Sequence, residues 1–445
     1  MTTTKSGKKV LLLGAGMVTR PGVSYMLEHG CEVLVASRTV KKAASLVEGH
    51  PNGRAVAFTI DDREALNRLA SESDVVISLL PAPMHPVVAE ACLAAGTNLV
   101  TTSYVSPAMR DLDERARQKG LLFLNEIGLD PGIDHMSAMK VINGVRAQGG
   151  TVTSFRSYCG GLPAPDSNTN PWGYKFSWSP MAVLRAGLNP ARYLEDGRLL
   201  EIPGPELFAH HWPMKVPGAP DFEGYPNRDS MGYVELYGLE SARTMFRGTL
   251  RYPGWCATLK LVVDLGLLDQ TPREDLSGRT HAEVLASLVP GAKPSTVRAD
   301  IAARFDLTPE ADPLERLAWA GFFSELPVPQ VGSLMELVGA RLQEKLTLGP
   351  GERDMIALHH EFEAELPGGI KKRIQSTMVD FGVPDGDSAM ARTVSLPCAV
   401  ATRLLLEGKI ALRGVQIPVQ PELYEPVLAE LEPLGIRCEE RETTL

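Results

Sequence analysis

The chain has 445 residues, 44% of them hydrophobic, and a formal net charge of -9 at pH 7. This composition is ordinary for a globular protein of two or three domains, its mild acidity disfavours a nucleic-acid partner, and no apolar run approaches the roughly 20 residues of a membrane-spanning helix. The six cysteines are scattered, without the close Cys or Cys/His pairs of a zinc site, so we expect reduced thiols in a cytoplasmic protein without a bound metal.

The first 135 residues alternate between strand-like and helix-like segments. Apolar strands are predicted at 10–14, 32–36, 55–60, 74–81, 98–104 and 121–128. Helices are predicted between them, at 21–28, 41–47, 64–71, 85–95 and 107–119. Continuous apolar strands separated by helices are typical of a parallel sheet covered on both faces. The predicted fold class is therefore α/β, with a Rossmann-type doubly wound parallel sheet.

The pattern changes after about residue 150. Residues 150–270 are richer in glycine, proline and aromatic residues, as in SYCGGLPAP and NPWGYKFSW, which favours loops and short strands of an α+β domain. Residues 272–347 are more helical, 354–366 resemble a strand, and 396–410 resemble a late helix that ends at Gly408. A mixed α/β domain with a helical part is therefore expected to follow the parallel sheet.

A glycine loop, GAGMVT, joins the first predicted strand to the first predicted helix. Gly14 and Gly16 have the strand-to-helix setting of a dinucleotide fingerprint, and the bare backbone at Gly16 lets a pyrophosphate approach the helix N-terminus. Thr19 stands where the fingerprint has its third glycine, whose main purpose is close packing of the helix on the strand. A structural turn is the alternative interpretation, and the β/α context favours nucleotide binding.

The end of the second predicted strand indicates which nucleotide binds. NAD sites usually carry an acidic residue there, which holds the ribose 2′-hydroxyl, but this strand ends in Ser37, Arg38 and Thr39. Arg38 could hold a 2′-phosphate with the help of both hydroxyls, so the predicted cofactor is NADP(H). A solvated arginine without a ligand is the alternative.

Polar residues concentrate in two stretches at or just after predicted strand ends, VTTSYVSPAM and NEIGLDPGIDH. Ligands of open parallel sheets bind at the carboxyl ends of the strands, which predicts that Ser103, Tyr104 and Asp130 meet a nicotinamide and its substrate. The alternatives are a turn-forming Asp130 before Pro131 and a half-buried Tyr104 with a satisfied hydroxyl. His135 is expected to be structural.

Several long stretches, in the same order along the chain, resemble the saccharopine reductase family, the NADP-dependent, glutamate-forming saccharopine dehydrogenases of lysine metabolism. They are GAGMVTRP, TTSYVSPAM, NEIGLDPGIDH, SYCGGLPAP, GYKFSWS, GYPNRDS and RGTLRY. The resemblance covers nearly the whole chain and supports the nucleotide-binding interpretation of the glycine loop. It implies that L-glutamate condenses with α-aminoadipate semialdehyde and that NADPH reduces the imine to saccharopine. A homodimer is also expected, with small-molecule substrates and no nucleic-acid or membrane partner.

The resemblance further implies three parts of the chain. Residues 1–128 and 396–445 would form the Rossmann NADP-binding domain. Residues 129–271 and 351–395 would form a mixed α/β domain that binds saccharopine and mediates dimerisation, and residues 272–350 would form a helical insertion.

The candidate site residues fall into three groups. The catalytic candidates are Tyr104, Asp130 and Cys159, and a buried inert thiol is an equal alternative for Cys159. Saccharopine carries three carboxylates, which arginine binds well, so Arg228 and Arg251 are candidates for the substrate, and a surface ion pair is the alternative for each. The resemblance implies a wider set of substrate-binding candidates, which are Ser103, Tyr104, Asp130, Arg228, Thr249, Leu250 and Arg251. The cofactor-binding candidates are Gly14, Gly16, Met17, Val18, Thr19, Ser37, Arg38, Thr39, Asp61, Ser78, Leu79, Leu80, Thr102, Ser103, Leu129 and Asp130.

Two alternative functions stay open at the level of the sequence. Another NADP-dependent imine-reducing enzyme, such as carboxynorspermidine or homospermidine synthase, would share the fold and cofactor. Its polyamine substrate would call for acids and aromatic residues where Arg228 and Arg251 stand. A non-catalytic NADP-binding regulator is the second alternative, which Tyr104, Asp130 and the arginines disfavour.

Overall fold

The chain divides into two compact units in the computed structural model, which describes residues 7–445. The first unit extends to Gly150 and also includes Gly386–Glu439. The second unit consists of Thr151–Asp385 and Glu440–Leu445.

Strands and helices alternate in the first unit and are more mixed in the second. The strands are β1 (Lys9–Leu13), β2 (Glu32–Ser37), β3 (Gly53–Ala57), β4 (Val75–Ser78), β5 (Asn98–Thr101), β6 (Leu122–Leu124), β7 (Thr151–Pro163), β8 (Ala191–Glu195), β9 (Arg198–Ile202), β10 (Trp212–Lys215), β11 (Asp221–Pro226), β12 (Thr244–Arg251), β13 (Asp354–Leu366), β14 (Ile370–Phe381), β15 (Gly414–Gln416) and β16 (Glu439–Thr444). The helices are α1 (Arg20–Glu28), α2 (Val40–Val47), α3 (Arg63–Ser71), α4 (His85–Ala95), α5 (Pro107–Arg110), α6 (Asp113–Gln118), α7 (Ile133–Ala147), α8 (Pro180–Ala186), α9 (Gly232–Tyr237), α10 (Trp255–Asp264), α11 (His281–Leu288), α12 (Val297–Arg304), α13 (Asp312–Ala320), α14 (Leu334–Lys345), α15 (Ala389–Leu406) and α16 (Pro421–Leu431). Short 3₁₀ helices cover Ala82–Met84, Pro165–Ser167 and Gly204–Ala209.

The first unit is built on a seven-stranded parallel sheet in the order β15-β6-β5-β4-β1-β2-β3. Its central strands are almost wholly buried, as expected for apolar strands covered on both faces. The strand order reverses between β1 and β4, which is where ligands of doubly wound sheets bind. The predicted α/β class with a Rossmann-type sheet is therefore confirmed.

The second unit contains a nine-stranded mixed sheet with the main order β10-β11-β12-β7-β13-β14-β16, while β8 and β9 pair beside β12. Strands β7 and β12 are parallel neighbours, whereas β13 is antiparallel to both β7 and β14. The core of this unit contains large aromatic side chains such as Trp172, Tyr174 and Trp255, each at most 2% exposed. Helices α8 to α14 belong to the same unit.

Several predicted elements coincide with the structure. The helix predicted at 85–95 is α4, which ends before Gly96 in the left-handed conformation that glycine favours. The strand predicted at 354–366 is β13. The late helix is confirmed but begins at Ala389 instead of residue 396, because the Ser388 side chain accepts a hydrogen bond from the Ala391 N–H over 3.0 Å and caps it there.

The prediction of loops and short strands over residues 150–270 is wrong for SYCGGLP, which lies within the 13-residue strand β7. The glycine content of this stretch favours loops. Instead, a Cβ atom added to Gly160 would lie 2.7 Å from the carbonyl oxygen of Leu250 on β12. Gly160 therefore permits close packing within the sheet.

The borders of the two units differ from the domain borders expected at 128 and 396. Helix α7 is part of the first unit and packs on α16, where the Asn143 side-chain amide donates to the Tyr424 hydroxyl over 2.8 Å. Helix α15 contacts α1, where the Gly22 N–H donates to Ser395 Oγ over 3.0 Å. A Cβ atom at Gly22 would lie 3.0 Å from the Ser395 carbonyl oxygen, so a glycine permits this close helix packing.

One helix within residues 7–445, α15, is long and apolar enough to span a membrane. However, 78% of this segment is buried inside the protein. Core helices of water-soluble proteins meet the same criterion, so the length and composition of α15 are weak evidence for a membrane.

Candidate active site

The glycine loop leaves open space beside its backbone. Gly14 has φ of +110°, and its N–H donates to the Ala36 carbonyl on β2 over 2.9 Å. The Gly16 N–H donates to Oγ1 of the buried Thr19 over 3.1 Å, which fixes the entry into α1. Among the described residues, no atom lies within 4 Å of the place where a Cβ of Gly16 would stand. Hydrogen bonds of Gly14 and Gly16 thus fix the loop, while the space beside the Gly16 backbone is open, as a pyrophosphate site requires.

Arg38 follows the carboxyl end of β2 and is exposed to solvent. Within residues 7–445 its guanidinium has no hydrogen bond or ion pair. The Thr39 N–H donates to Ser37 Oγ over 3.4 Å in the same turn. Since β2 is the parallel neighbour of β1, a free cation stands at the same sheet edge as the glycine loop, and this suits a 2′-phosphate.

The other cofactor candidates also follow the carboxyl ends of strands in the parallel sheet. They are Met17 and Val18 after β1, Asp61 after β3, Ser78, Leu79 and Leu80 at the end of β4, Thr102 and Ser103 after β5, and Leu129 and Asp130 after β6. Because parallel strands have all their carboxyl ends at one edge, the structure places this whole group along a single edge of the first unit.

Tyr104 and Asp130 are in direct contact at this edge. The Tyr104 hydroxyl donates to Oδ1 of Asp130 over 2.9 Å, and both side chains are half-buried. Tyr104 follows β5 and Asp130 follows β6, and these strands are parallel neighbours. A hydroxyl donor and a carboxylate in contact form a pair through which a proton can pass.

Glu126, which the sequence analysis missed, anchors the backbone on both sides of Tyr104. Its N–H donates to the Ser103 carbonyl over 3.1 Å, and its Oε1 accepts from the Val105 N–H over 2.8 Å. Its Oε2 lies 2.8 Å from Nε2 of the fully buried His135. Glu126 is itself buried, with φ of +58°. The loop that carries Tyr104 is therefore fixed by a buried carboxylate.

His85, a second missed residue, bridges the ends of two strands. Its Nδ1 lies 3.0 Å from Ser78 Oγ, and its Nε2 lies 2.8 Å from Ser103 Oγ and 3.0 Å from Thr101 Oγ1. The side chain is 2% exposed, and this burial lowers the pKa of His85 to about 4. The imidazole is therefore neutral at physiological pH, between three hydroxyl groups.

Cys159 lies in the second unit, on β7, and is buried. It pairs with Thr249 on β12 and with Leu358 on β13 in the strand register. Leu250, the next residue on β12, is wholly buried. The structure thus brings three of the candidates of this unit, Cys159, Thr249 and Leu250, to one place in the mixed sheet.

Arg251, at the end of β12, is a buried cation without an ion pair in the part of the chain that the structure describes. It is 6% exposed, and its Nη1 donates to the carbonyl of its neighbour Leu250 over 2.7 Å. The guanidinium carbon lies 5.0 Å from the ring centre of Tyr174 and 5.5 Å from that of Trp255. Its Nε has no hydrogen-bond partner among residues 7–445. A buried charge without a counter-ion is costly, so this position suits an anionic ligand.

Arg228 does not lie beside Arg251. It is exposed and follows β11, with φ of +56°. In the β11–β12 ladder Pro226 pairs with Gly248, whereas Arg251 pairs with Glu223 at the other end. These two rows are three residues, or about 10 Å, apart along the strands, and Arg228 lies beyond the first of them. The strand register therefore holds Arg228 apart from Arg251.

No cluster of three or more His, Cys, Asp or Glu side chains that could hold a metal ion is found within residues 7–445.

Two domain descriptions of one family match most of the chain. "Saccharopine dehydrogenase NADP binding domain" matches residues 10–124, and "Saccharopine dehydrogenase C-terminal domain" matches residues 128–436. The chain belongs to the saccharopine dehydrogenase family.

Relatives in the saccharopine dehydrogenase family match almost the whole chain. The Schizosaccharomyces pombe protein named "Saccharopine dehydrogenase [NADP(+), L-glutamate-forming]" is 41% identical, over 97% of this chain and 98% of its own length. The Saccharomyces cerevisiae protein of the same name is 39% identical, over 98% of this chain and 99% of its own length. The bovine mitochondrial "Alpha-aminoadipic semialdehyde synthase" is 39% identical over 96% of this chain, but only 47% of its own length is matched.

A solved structure agrees with these relatives. Apo histidine-tagged saccharopine dehydrogenase (L-Glu forming) from Saccharomyces cerevisiae superimposes with a TM-score of 0.90, 38% identity, and coverage of 98% of this chain and 100% of that chain. The predicted family, fold class and NADP dependence are therefore confirmed.

Proposed function

We propose that the protein is an NADP-dependent, L-glutamate-forming saccharopine dehydrogenase. In this reaction L-glutamate, α-aminoadipate semialdehyde, NADPH and a proton give saccharopine, NADP+ and water, and the reaction is reversible. Two fungal proteins of that name are 41% and 39% identical to this chain over nearly its whole length, which supports the assignment.

The observation that carries the choice of substrate is Arg251. Glutamate and saccharopine are anionic, whereas a polyamine is cationic and would be repelled by this buried guanidinium. In the described part of the chain the Arg251 guanidinium contacts the Leu250 carbonyl and two aromatic ring faces and has no acidic partner. A substrate carboxylate would complete its hydrogen bonds and neutralise its charge.

Formation of the imine requires two proton movements, which we assign to the contacting pair. The attacking amine of glutamate must be neutral, and the Asp130 carboxylate accepts a proton from it. The carbinolamine oxygen must be protonated before it leaves as water, and the Tyr104 hydroxyl donates to it. The 2.9 Å contact between Tyr104 Oη and Asp130 Oδ1 lets a proton return between the two groups.

The residues of the parallel-sheet edge fit NADP(H). When bound, the cofactor supplies the hydride that reduces the imine carbon. We assign the pyrophosphate to Gly14, Gly16 and the N-terminus of α1, where the backbone is open, and the 2′-phosphate to Arg38. Hydroxyl groups at the ends of β4 and β5, including Ser103, complete the set.

In the second unit we assign separate carboxylates of saccharopine to Arg251 and Arg228, because the strand register holds these residues apart. Thr249 supplies a hydroxyl donor beside Arg251. Cys159 is assigned as a buried hydrogen-bond partner and takes no nucleophilic role, since the reaction needs no covalent bond to the enzyme.

NADPH absorbance tests this function. Purified protein is incubated with glutamate and α-aminoadipate semialdehyde, with a diamine replacing glutamate in parallel. Consumption of NADPH that depends on both substrates, with saccharopine as product, is the expected result. Turnover only with the diamine would move the protein to the polyamine branch, and NADPH binding without any turnover would favour a regulator.

We also propose a cytoplasmic homodimer. The expectation comes from the resemblance to the saccharopine reductase family, and light scattering of the purified protein measures the oligomeric state directly. A mass of one chain at working concentration would contradict the dimer, and a fluorescent fusion found in an organelle would contradict the location.

A further inference from the structure

We propose that His85 is a positioning residue of the reaction, because its imidazole orients the hydroxyl of Ser103 so that Ser103 donates its proton to the bound ligand. The role of Ser103 as a ligand contact rests on the proposed function. His85 neither gains nor loses a proton in this role. It acts through Ser103 and does not touch the reacting atoms.

The position of His85 follows from the chain path. Ser78 and Thr101 are paired residues at the ends of the neighbouring parallel strands β4 and β5. After β4 the chain makes one 3₁₀ turn, Ala82–Met84, and α4 begins at His85. The first side chain of the helix thereby lies across both strand ends, within 3.0 Å of hydroxyls from each.

The tautomer of His85 decides whether Ser103 offers a ligand its proton or its lone pairs. A neutral imidazole has one N–H donor and one nitrogen acceptor. If Nε2 carries the hydrogen, Ser103 Oγ accepts it, and the proton of Ser103 is free to point at a ligand. Nδ1 then accepts from the Ser78 hydroxyl. The opposite tautomer makes Ser103 donate into the ring and leaves only its lone pairs for a ligand.

The chemistry of the ligand selects the first tautomer. Substrates with several carboxylates, and an oxygen that leaves as water, need a donor, and they repel exposed lone pairs. Ser103 is the nearer partner of Nε2, at 2.8 Å against 3.0 Å for Thr101. Thr101 Oγ1 is in addition within 3.4 Å of the Ser103 N–H, so it holds the backbone of the same residue.

A charge on the imidazole does not account for the role of His85 at the end of β5. Burial is the cause of its lowered pKa, which keeps the ring neutral and rules out a proton shuttle near neutral pH. A buried neutral histidine at this sheet edge, whose ring nitrogens contact the hydroxyls of Ser78, Thr101 and Ser103, is suited to fix hydrogen-bond direction. This makes His85 a determinant of donor geometry at the end of β5.

The test compares two amide replacements of different length. The side-chain amide of glutamine reaches the place of Nε2, whereas that of asparagine reaches only the place of Nδ1. His85→Gln keeps the contact with Ser103 and is expected to retain kcat/KM within about fivefold. His85→Asn loses it, and its kcat/KM should fall by about 10- to 100-fold, the range for one hydrogen bond to a charged or reacting group.

A double-mutant cycle separates orientation from general damage. If His85 acts through Ser103, His85→Asn in a Ser103→Ala background should lower kcat/KM by less than about threefold further. Thr101→Val, which removes the other Nε2 partner, is the matched control and should cost less than Ser103→Ala. Equal losses with asparagine and glutamine, or a full loss with His85→Asn in the Ser103→Ala background, would overturn the proposal.

A failure of the His85 proposal can be told apart from a failure of the proposed function. Wild-type turnover of glutamate and semialdehyde is measured first, and its absence would reject the function alone. In that case the same cycle is measured on the NADPH dissociation constant by fluorescence, because Ser103 is also a cofactor candidate. Additive effects of His85→Asn and Ser103→Ala there would overturn the role of His85.

Discussion

The Tyr104 hydroxyl donates a hydrogen bond to the Asp130 carboxylate over 2.9 Å, although the two residues are 26 positions apart. Adjacent parallel strands deliver them to one edge, and Glu126 anchors the backbone on both sides of Tyr104. The pair is thus preorganised by the fold before any ligand binds. Preorganisation of this kind is what proton transfer requires, since a misplacement of 1 Å is already costly.

Removing the hydroxyl of Tyr104 should impair the chemical step. We expect Tyr104→Phe to lower kcat by about 100-fold, within the usual range for a general acid, while the NADPH dissociation constant stays within about threefold. Steady-state kinetics and NADPH fluorescence measure the two quantities. Tyr424→Phe is the matched control, because the Tyr424 hydroxyl is also buried and hydrogen-bonded but lies on α16. A wild-type kcat for Tyr104→Phe would remove Tyr104 from the mechanism.

Arg38 should determine the choice between the two nicotinamide cofactors. Arg38→Asp removes the cation that faces a 2′-phosphate and adds a carboxylate that repels it. We expect the ratio of kcat/KM for NADPH to that for NADH to fall by at least about 100-fold, or roughly 2.7 kcal/mol. Arg54→Asp on β3 makes the same charge change at an exposed position and should leave the ratio unchanged. An unaltered ratio in Arg38→Asp would show that the phosphate binds elsewhere.

Arg251 should bind substrate at the expense of the free protein's stability. Arg251→Met is expected to raise the KM for saccharopine by at least about 10-fold and to leave the free energy of unfolding unchanged or higher, because an unpaired buried charge is removed. Arg341→Met is the comparison, since this buried arginine pairs with Glu344 at 2.7 Å. It should lower stability without raising KM. A marked loss of stability in Arg251→Met, with a normal KM, would make Arg251 structural.

The neutral state of His85 should make the protein less stable in mild acid. The pKa of His85 is lowered from 6.5 to about 4, so between these values the unfolded chain binds a proton that the folded chain does not. The free energy of unfolding that neutral His85 contributes is fully present above pH 6.5 and is lost as the pH falls toward 4. About 2 kcal/mol of it is lost by pH 5.

Denaturant unfolding at pH 7 and pH 5 measures this effect. The free energy of unfolding should fall by about 2 kcal/mol more in the wild type than in His85→Gln, which has no titrating group there. All other titrating groups are shared and cancel in the comparison. The same loss in both proteins would mean that His85 is protonated as easily in the folded state as in the unfolded state.

Much of the parallel sheet could be predicted from the sequence because its signals are local. Apolar strands, helix starts and Gly96 each depend on a few neighbouring residues. The β/α order then places Ser103, Tyr104 and Asp130 at one edge, since strand ends of a parallel sheet coincide. Local patterns and the strand order are together sufficient to place these three residues at one edge of the sheet.

Other features depend on contacts between distant residues and could not be predicted in this way. His85 marks only the start of a helix in the sequence, and its partners lie 7 to 18 positions away. In the sequence Glu126 is only one acidic residue in a polar stretch. Its role depends on the contacts of its backbone and carboxylate with the loop that carries Tyr104. The separation of Arg228 from Arg251 depends on the register of β11 and β12, which composition does not determine.

Identification of the products of saccharopine oxidation tests the central claim most directly. Saccharopine has two carbon–nitrogen bonds at its secondary amine, and oxidation on one side gives glutamate and α-aminoadipate semialdehyde, whereas the other side gives lysine and 2-oxoglutarate. Purified protein with saccharopine and NADP+ should yield NADPH, glutamate and the semialdehyde in equal amounts. Lysine and 2-oxoglutarate as products, or no oxidation of saccharopine, would contradict the account.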